Sequence, residues 1–351
     1  MSEPGSGQPG SGQPGHDDEP GHDDEPGRRR LRRFLPRRRW LRRLVVGMGT
    51  LFVIGVVAGI VTVNYVSGHQ DLEPTASSPQ PTVAGSVVDG VRFSDWYVQQ
   101  GINLRRVSLA FPADQSPGEP LPAVVVLHGL RGNPGEIGID GGWFSAVSER
   151  RFVAVLPYGV AQSWNAGGCC RPAQLLGIDD VAFLDLVVRD TSARPEVDPS
   201  RVFMVGQSNG AMMTTRYLCD HASQLAGAAS VIGTSVAGCQ PSDPVPFLQV
   251  AAEADEVLPY AGGRTTTSYL FSSVDPPPVP RTVAAAALAM GCAAPVPDLV
   301  EGAVTVRRWI GCRVPGRVRL DSIAGARHVW PRGEPYDATA EVLDFFGITP
   351  I

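Results

Sequence analysis

The stretch Arg201 to Cys219, RVFMVGQSNGAMMTTRYLC, constrains this chain more than any other. A short apolar run, Val202 to Val205, leads into Gly206-Gln207-Ser208-Asn209-Gly210. A helical pattern follows through Ala211, Met212, Met213 and Leu218. A strand, a Gly-x-Ser-x-Gly turn and a helix, in that order, frame a nucleophile elbow, where a serine on a strained turn projects its hydroxyl from a sheet edge. The glycines follow from that geometry, because a Cβ at Gly206 or Gly210 would crowd the neighbouring strand and helix. The helix directs its N-terminus at the serine, where its dipole favours developing negative charge. A chance glycine-rich turn produces the same pentapeptide. The flanking elements and the partners elsewhere in the chain separate the two.

For a serine on such an elbow, an acid and then a histidine follow in chain order. Only His128, His221 and His328 lie in the part of the chain that reads as folded. His128 precedes the elbow and His221 follows it too closely. His328 stands far downstream in GARHVWP, residues 325–331, and is the candidate to take the Ser208 proton and return it to a leaving alcohol. The acid is expected just past the strand after the elbow helix. In Pro246 to Tyr260, PFLQVAAEADEVLPY, Asp255 holds that place, with Glu253 and Glu256 as rivals. Asp255 would orient His328 and stabilise its imidazolium form. Two backbone N–H groups must hold the oxyanion. Asn209 supplies one, and Leu130, after the turn at Gly129, supplies the other. His128 reads as a loop residue rather than a base.

The first 90 of the 351 residues do not read as a packed domain. Residues 1–27 repeat Gly-Ser-Gly-Gln-Pro and Gly-His-Asp-Asp-Glu-Pro and are expected to form a disordered, low-complexity tail. Nothing fixes a coordination geometry around His16 and His22, so no metal is expected there. All 30 basic residues are arginine, and ten of them lie in the juxtamembrane block 28–44. An apolar run over 45–66 is long enough to cross about 30 Å of hydrocarbon as a transmembrane helix. Arginines precede it and nothing comparable follows, which predicts a single pass with a cytoplasmic N-terminus and the bulk of the chain outside. A cleaved signal peptide is the rival. The run exceeds the usual signal core of about 7–15 residues, and no small-x-small site follows it directly. An uncleaved anchor, with the lipid bilayer as partner through 45–66, is therefore expected. Residues 67–90 are rich in Ser, Pro, Thr and Gln and read as a flexible linker.

The folded domain is expected over 91–351. Apolar runs at Ala123 to Leu127, Phe152 to Leu156, Val202 to Val205, Phe247 to Ala251, Val304 to Ile310 and Val318 to Ile323 read as strands. Helical patterns at Asp179 to Val188, after the elbow, and near Ala338 to Phe346 alternate with them. That alternation predicts an α/β domain, a mainly parallel sheet with helices on both faces. The net charge of −5 is carried by an acidic outer domain with no basic stripe, so nucleic acid is not an expected partner.

Leu127-His-Gly, Trp164-Asn-Ala-Gly-Gly-Cys-Cys170, Asp179-Asp-Val-Ala-Phe183, Gly206-Gln-Ser-Asn-Gly210, Ala254-Asp255 with Val257-Leu-Pro-Tyr260, and His328-Val-Trp-Pro331 appear in order. Together they resemble the polyhydroxybutyrate depolymerase and feruloyl esterase family of α/β-hydrolases over roughly 107–346. The resemblance implies an α/β-hydrolase fold and a serine esterase, usually secreted, without a metal or cofactor. The chain departs from the pattern beside the site. Ala251-Ala252-Glu253 stands where His-Gly is frequent, and Arg327 stands where Gly is usual before the histidine.

The six cysteines, Cys169, Cys170, Cys219, Cys239, Cys292 and Cys312, allow about 15 pairings. Pairs Cys219–Cys239 and Cys292–Cys312 would close local loops, which leaves the vicinal pair Cys169–Cys170. No Cys or His pair has the spacing of a zinc site. The resemblance places Trp164 at the site, where its ring could stack on an aromatic or sugar group. Tyr260 and Trp330 flank the acid and the histidine and could wall an acyl pocket. The expected substrate is a small or polymeric carboxylic ester with a short acyl or aryl-acyl group, because no long lid segment separates the elbow helix from Asp255. A serine peptidase of the same fold performs the same acyl transfer. An inactive wall- or ligand-binding module would not need Ser208, Asp255 and His328 together. Oligomeric state leaves no mark in the sequence.

Overall fold

A computed structural model describes residues 83–350 apart from 102, 237, 266–273 and 314–316. The tail, the basic block and the expected membrane span over 45–66 lie outside the described residues, and no helix among the described residues is long and apolar enough to cross a membrane. The first strand, β1 (Val83–Val88), already lies within the stretch expected as linker, so the folded region starts earlier than Val91. Two of its valines carried no signal because they bury nothing. Val87 and Val88 are exposed, and the strand is held by its antiparallel pairing with β2 (Val91–Gln100).

The sheet continues with β3 (Asn103–Pro112), β4 (Leu121–Leu127), β5 (Val153–Pro157), β6 (Val197–Gln207), β7 (Gly227–Val231), β8 (Phe247–Ala252), β9 (Leu299–Glu301), β10 (Val304–Trp309) and β11 (Val318–Ile323). The strand order is β1-β2-β3-β5-β4-β6-β7-β8-β11-β10-β9. The six strands from β5 to β11 in that order run parallel. Both flanks are antiparallel, β1-β2-β3 on one side and β10-β9 on the other. The expected mainly parallel sheet is therefore its centre. Central strands buried on both faces read as continuous apolar runs, whereas the flanking strands are partly solvated and mix Arg, Ser and Asp into their pattern.

Strand β4, LPAVVVL, shows how the layers form. All seven residues are buried. Ala123, Val125 and Leu127 point into one core with Trp164, Phe183, Met212 and Tyr217, while Val124 and Val126 point into the other with Trp143, Phe152 and Leu343. Strand period two sends alternate side chains to opposite faces. Each fully buried Val or Leu contributes about 1.5–3 kcal/mol. Helices α3 (Asp180–Ser192), α4 (Asn209–His221) and α5 (Val279–Ala289) cover the first face. Helices α1 (Pro134–Asp140), α2 (Trp143–Arg150) and α6 (Ala338–Phe345) cover the second. Side-chain caps start three of them, with Asn133 accepting from Glu136 N–H, Asp179 from Ala182 N–H and Asp337 from Ala340 N–H; each such cap is worth about 1 kcal/mol. Three disulfides are present: Cys169–Cys170, Cys219–Cys239 and Cys292–Cys312.

Candidate active site

The elbow joins β6 to α4. Ser208 has φ 51° and ψ −113°, a backbone state that costs on the order of 1–3 kcal/mol unless its surroundings enforce it. The surroundings do. Its N–H donates to Val231 O of β7 at 3.0 Å, and its carbonyl accepts from Met212 N–H at 3.0 Å. A Cβ on Gly206 would strike the carbonyl of Gly210, and one on Gly210 would strike the carbonyls of Leu127 and His128 at the end of β4. Gly233, after β7, is equally constrained: a Cβ there would lie 2.8 Å from Ser208 O and close on Ala211 Cβ. Nothing in the local sequence marked Gly233, because the crowding comes from a helix about 20 residues away in the chain.

Asp255 follows β8 and His328 follows β11, neighbouring parallel strands that deliver both loops to the same edge. His328 Nδ1 lies 2.8 Å from Asp255 Oδ2, and His328 Nε2 lies 2.8 Å from Ser208 Oγ. A carboxylate only accepts, so Nδ1 carries the hydrogen and Nε2 accepts from the serine hydroxyl. The other carboxylate oxygen of Asp255 accepts from Val257 N–H at 2.8 Å and Leu258 N–H at 2.7 Å. The Asp255 side chain is 3% exposed and His328 14%. Of the rival acids, Glu256 pairs with exposed Arg327 and Glu253 faces solvent. The Arg327 guanidinium helps hold the Glu256 carboxyl below its usual range, although a backbone hydrogen bond contributes more.

His128 is buried beneath the site with both ring nitrogens engaged. Nδ1 lies 2.8 Å from Gly129 O, and Nε2 accepts from Gly159 N–H at 3.0 Å. Burial pushes its pKa down to about 4, with the Arg105 charge adding to the shift and the Gly129 hydrogen bond opposing it. His128 is therefore a neutral brace for the loop that carries Leu130. In that loop the Arg131 N–H donates to Gln162 O and the Gly132 N–H to Gly129 O. Asn209 opens α4, and the first N–H groups of a helix have no acceptor within it.

Trp164 stands elsewhere than the sequence suggested. It is fully buried, so no ring face is open to stack on a ligand. Its indole N–H donates to His128 O at 2.9 Å, and its backbone is bracketed by the Asn209 side chain, with Trp164 N–H donating to Oδ1 at 2.8 Å and Trp164 O accepting from Nδ2 at 2.9 Å. It thus braces the elbow and the facing loop from behind. Tyr260 is half-buried against the core and shares a hydrogen bond with Ser322 Oγ at 2.8 Å, away from the cleft. Of the three expected substrate contacts, Trp330 alone lines the cleft.

That cleft, about 460 Å³, opens over Ser208 and His328. Leu130, Asn133, Glu136 and Asp140 form one wall, and Val329 and Trp330 the other. Nothing in the sequence singled out the α1 wall, because a helix of seven residues is too short to show a periodic pattern. Among the described residues no group of three or more His, Cys, Asp or Glu side chains is arranged to hold a metal ion.

No family model matches the chain. It is 29% identical over 250 residues to the putative esterase NocK of Nocardia uniformis subsp. tsuyamanensis, covering 65% of this chain and 72% of that protein. It is 29% identical over 177 residues to feruloyl esterase B of Piromyces equi, covering 45% of this chain but 31% of that protein. With the probable feruloyl esterase C of Aspergillus niger it shares 28% over 170 residues, 46% of this chain and 59% of that one. The match thus spans only part of each feruloyl esterase. Among solved structures, an acetyl xylan esterase from Aspergillus awamori aligns with a TM-score of 0.53 at 17% identity, over 73% of this chain and 100% of that chain. At that identity the likeness shows a shared fold, the α/β-hydrolase fold.

Proposed function

We propose a mechanism for a chain that is, by its relatives, a carboxylic ester hydrolase of a feruloyl esterase-like family: Ser208, His328 and Asp255 hydrolyse the ester through an acyl-enzyme. Ser208 Oγ attacks the ester carbonyl carbon while His328 Nε2 takes its proton. Asp255 holds the Nδ1–H and offsets the charge of the imidazolium. The oxyanion of the tetrahedral intermediate accepts from the Asn209 and Leu130 N–H groups. Collapse breaks the C–O bond to the alcohol, which leaves with the proton from His328. Water, deprotonated by His328, then attacks the acyl carbon and releases the acid and Ser208. The observation that carries the reading is the unbroken line from Asp255 through His328 to Ser208, two 2.8 Å contacts across three separate loops.

The substrate class we infer is a feruloyl-, acetyl- or hydroxybutyrate-type ester rather than a long-chain lipid. Its support is the cleft, whose α1 side carries Asn133, Glu136 and Asp140 and whose apolar lining is divided among Leu130, Ile137, Val329 and Trp330, a mixed surface rather than a continuous apolar one. We further infer a membrane-anchored enzyme, held by 45–66 with its catalytic domain outside the cell. The arginine block before that run supports the orientation. Three disulfides fit an oxidising compartment. Labelling with a fluorophosphonate probe tests the chemistry, because only an activated serine reacts. Label on wild type and none on Ser208→Ala is the expected result, and label retained on Ser208→Ala rules the mechanism out.

A further inference from the structure

The two walls of the cleft meet behind it at one buried oxygen. Thr339, in the first turn of α6, is 4% exposed. Its hydroxyl accepts from Trp330 Nε1–H at 3.1 Å and donates to Gly141 O. Trp330 belongs to the wall that also carries His328. Gly141 ends α1, the opposite wall, and its own N–H donates to Ile137 O at 3.0 Å. A hydroxyl has one proton to give, so the proton goes to one wall and a lone pair to the other. Among the described residues no second polar group shares either bond.

The packing leaves the indole little choice of position. Trp143, fully buried, sits edge-on to Trp330 with ring centroids 5.9 Å apart. A Cβ on Gly141 would lie 2.7 Å from Trp143 Cδ1, so the end of α1 is pressed against the same ring. Among the described residues a second hydrogen bond between the walls lies at the surface, from Arg332 Nη1 to Asp140 O at 3.4 Å, and a long exposed contact of this kind holds geometry poorly.

We infer that Thr339 is a specificity-determining positioning residue, its hydroxyl tying the Trp330 wall to the α1 wall and so setting the cleft width that decides which esters reach Ser208. The inference rests on Ser208 being the nucleophile. Thr339→Val keeps the shape and removes the hydroxyl, leaving an indole N–H and a carbonyl without their shared partner. The walls then keep their packing but lose the bond that fixes their spacing, and discrimination between small and bulky acyl groups narrows.

The test compares kcat/KM on nitrophenyl acetate and nitrophenyl decanoate for the full-length protein in detergent. Thr339→Val is expected to lower the acetate-to-decanoate ratio by about fivefold, while Thr339→Ser, which keeps the hydroxyl, retains the wild-type ratio. Arg332→Ala, which breaks the surface tie and the Arg332–Asp337 pair at 3.3 Å but leaves the Thr339 hydroxyl in place, should keep the ratio. An unchanged ratio in folded Thr339→Val, or an equal shift in Thr339→Ser, overturns the inference. Should Thr339→Val fail to fold, Thr339→Cys, whose thiol is a weak hydrogen-bonding group, carries the same comparison, and a wild-type ratio there overturns it. Fluorophosphonate labelling of wild type separates this outcome from failure of the mechanism, since an unlabelled wild type would remove Ser208 and not the tie.

Discussion

Replacing Asp180 by Asn should cost far more than a surface charge would. Asp180, the first residue of α3, is fully buried and pairs through Oδ1 with Arg105 of β3 at 2.7 Å, the two side chains being 0% and 4% exposed. Arg105 also donates to Tyr158 O at 3.0 Å, and its guanidinium carbon lies 3.5 Å over the Phe183 ring. Burial is the main influence on both groups. It raises the Asp180 pKa and lowers that of Arg105, and the charge of each partner opposes the shift of the other. Neutralising Asp180 leaves a buried guanidinium uncompensated, a loss of about 3–5 kcal/mol. That is a large share of the roughly 5–15 kcal/mol by which a domain is stable. The damage also reaches the site, because Asp180 Oδ2 accepts from Asn165 N–H at 2.7 Å, next to Trp164. Urea unfolding of wild type, Asp180→Asn, Arg105→Met and the double variant Arg105→Met with Asp180→Leu measures this. Each single variant should lose about 3–5 kcal/mol, and the double variant, with no charge left to strand, much less than their sum. A loss below about 1 kcal/mol in Asp180→Asn, or a double variant equal to the sum, would refute the argument.

Ser208→Ala and His328→Ala should each lower kcat at least about 10³-fold, and combining them should add little, because the members act as a unit; additive losses in steady-state kinetics would contradict this. His128 should limit acid stability. Its folded pKa of about 4 lies below the ordinary value of 6.5, so the unfolded chain takes up the proton first, and stability that is complete above about 6.5 is lost as pH falls toward 4. At roughly 1.4 kcal/mol per unit the loss is on the order of 3 kcal/mol, and urea midpoints for wild type and His128→Gln across that range check it, the variant showing a flatter acid limb. Protease added to intact cells should remove the esterase domain and spare the tail before Arg28. Mature protein free in the medium would instead point to a cleaved signal.

What the sequence determined by itself was local. The elbow is written in Gly206, Ser208 and Gly210 because a strained turn and a close helix admit few residues, and the order of Ser208, Asp255 and His328 follows the order of strands that end at one edge. The central strands were legible because burial on both faces leaves an unbroken apolar run. Tertiary structure decided whatever depends on contacts between distant segments. Strand β1 holds by backbone pairing, which leaves no hydrophobic pattern. Asp255 rather than Glu256 meets His328, since a step of one residue in a loop turns the side chain elsewhere. Trp164, an aromatic in a motif beside the site, turns inward to bind His128 and Asn209, because an indole gains more from full burial with its N–H satisfied than from a wet cleft. Thr339 reads as an unremarkable helix residue until α6 packs beneath Trp330 and Gly141, and only that packing makes its hydroxyl the join between two walls.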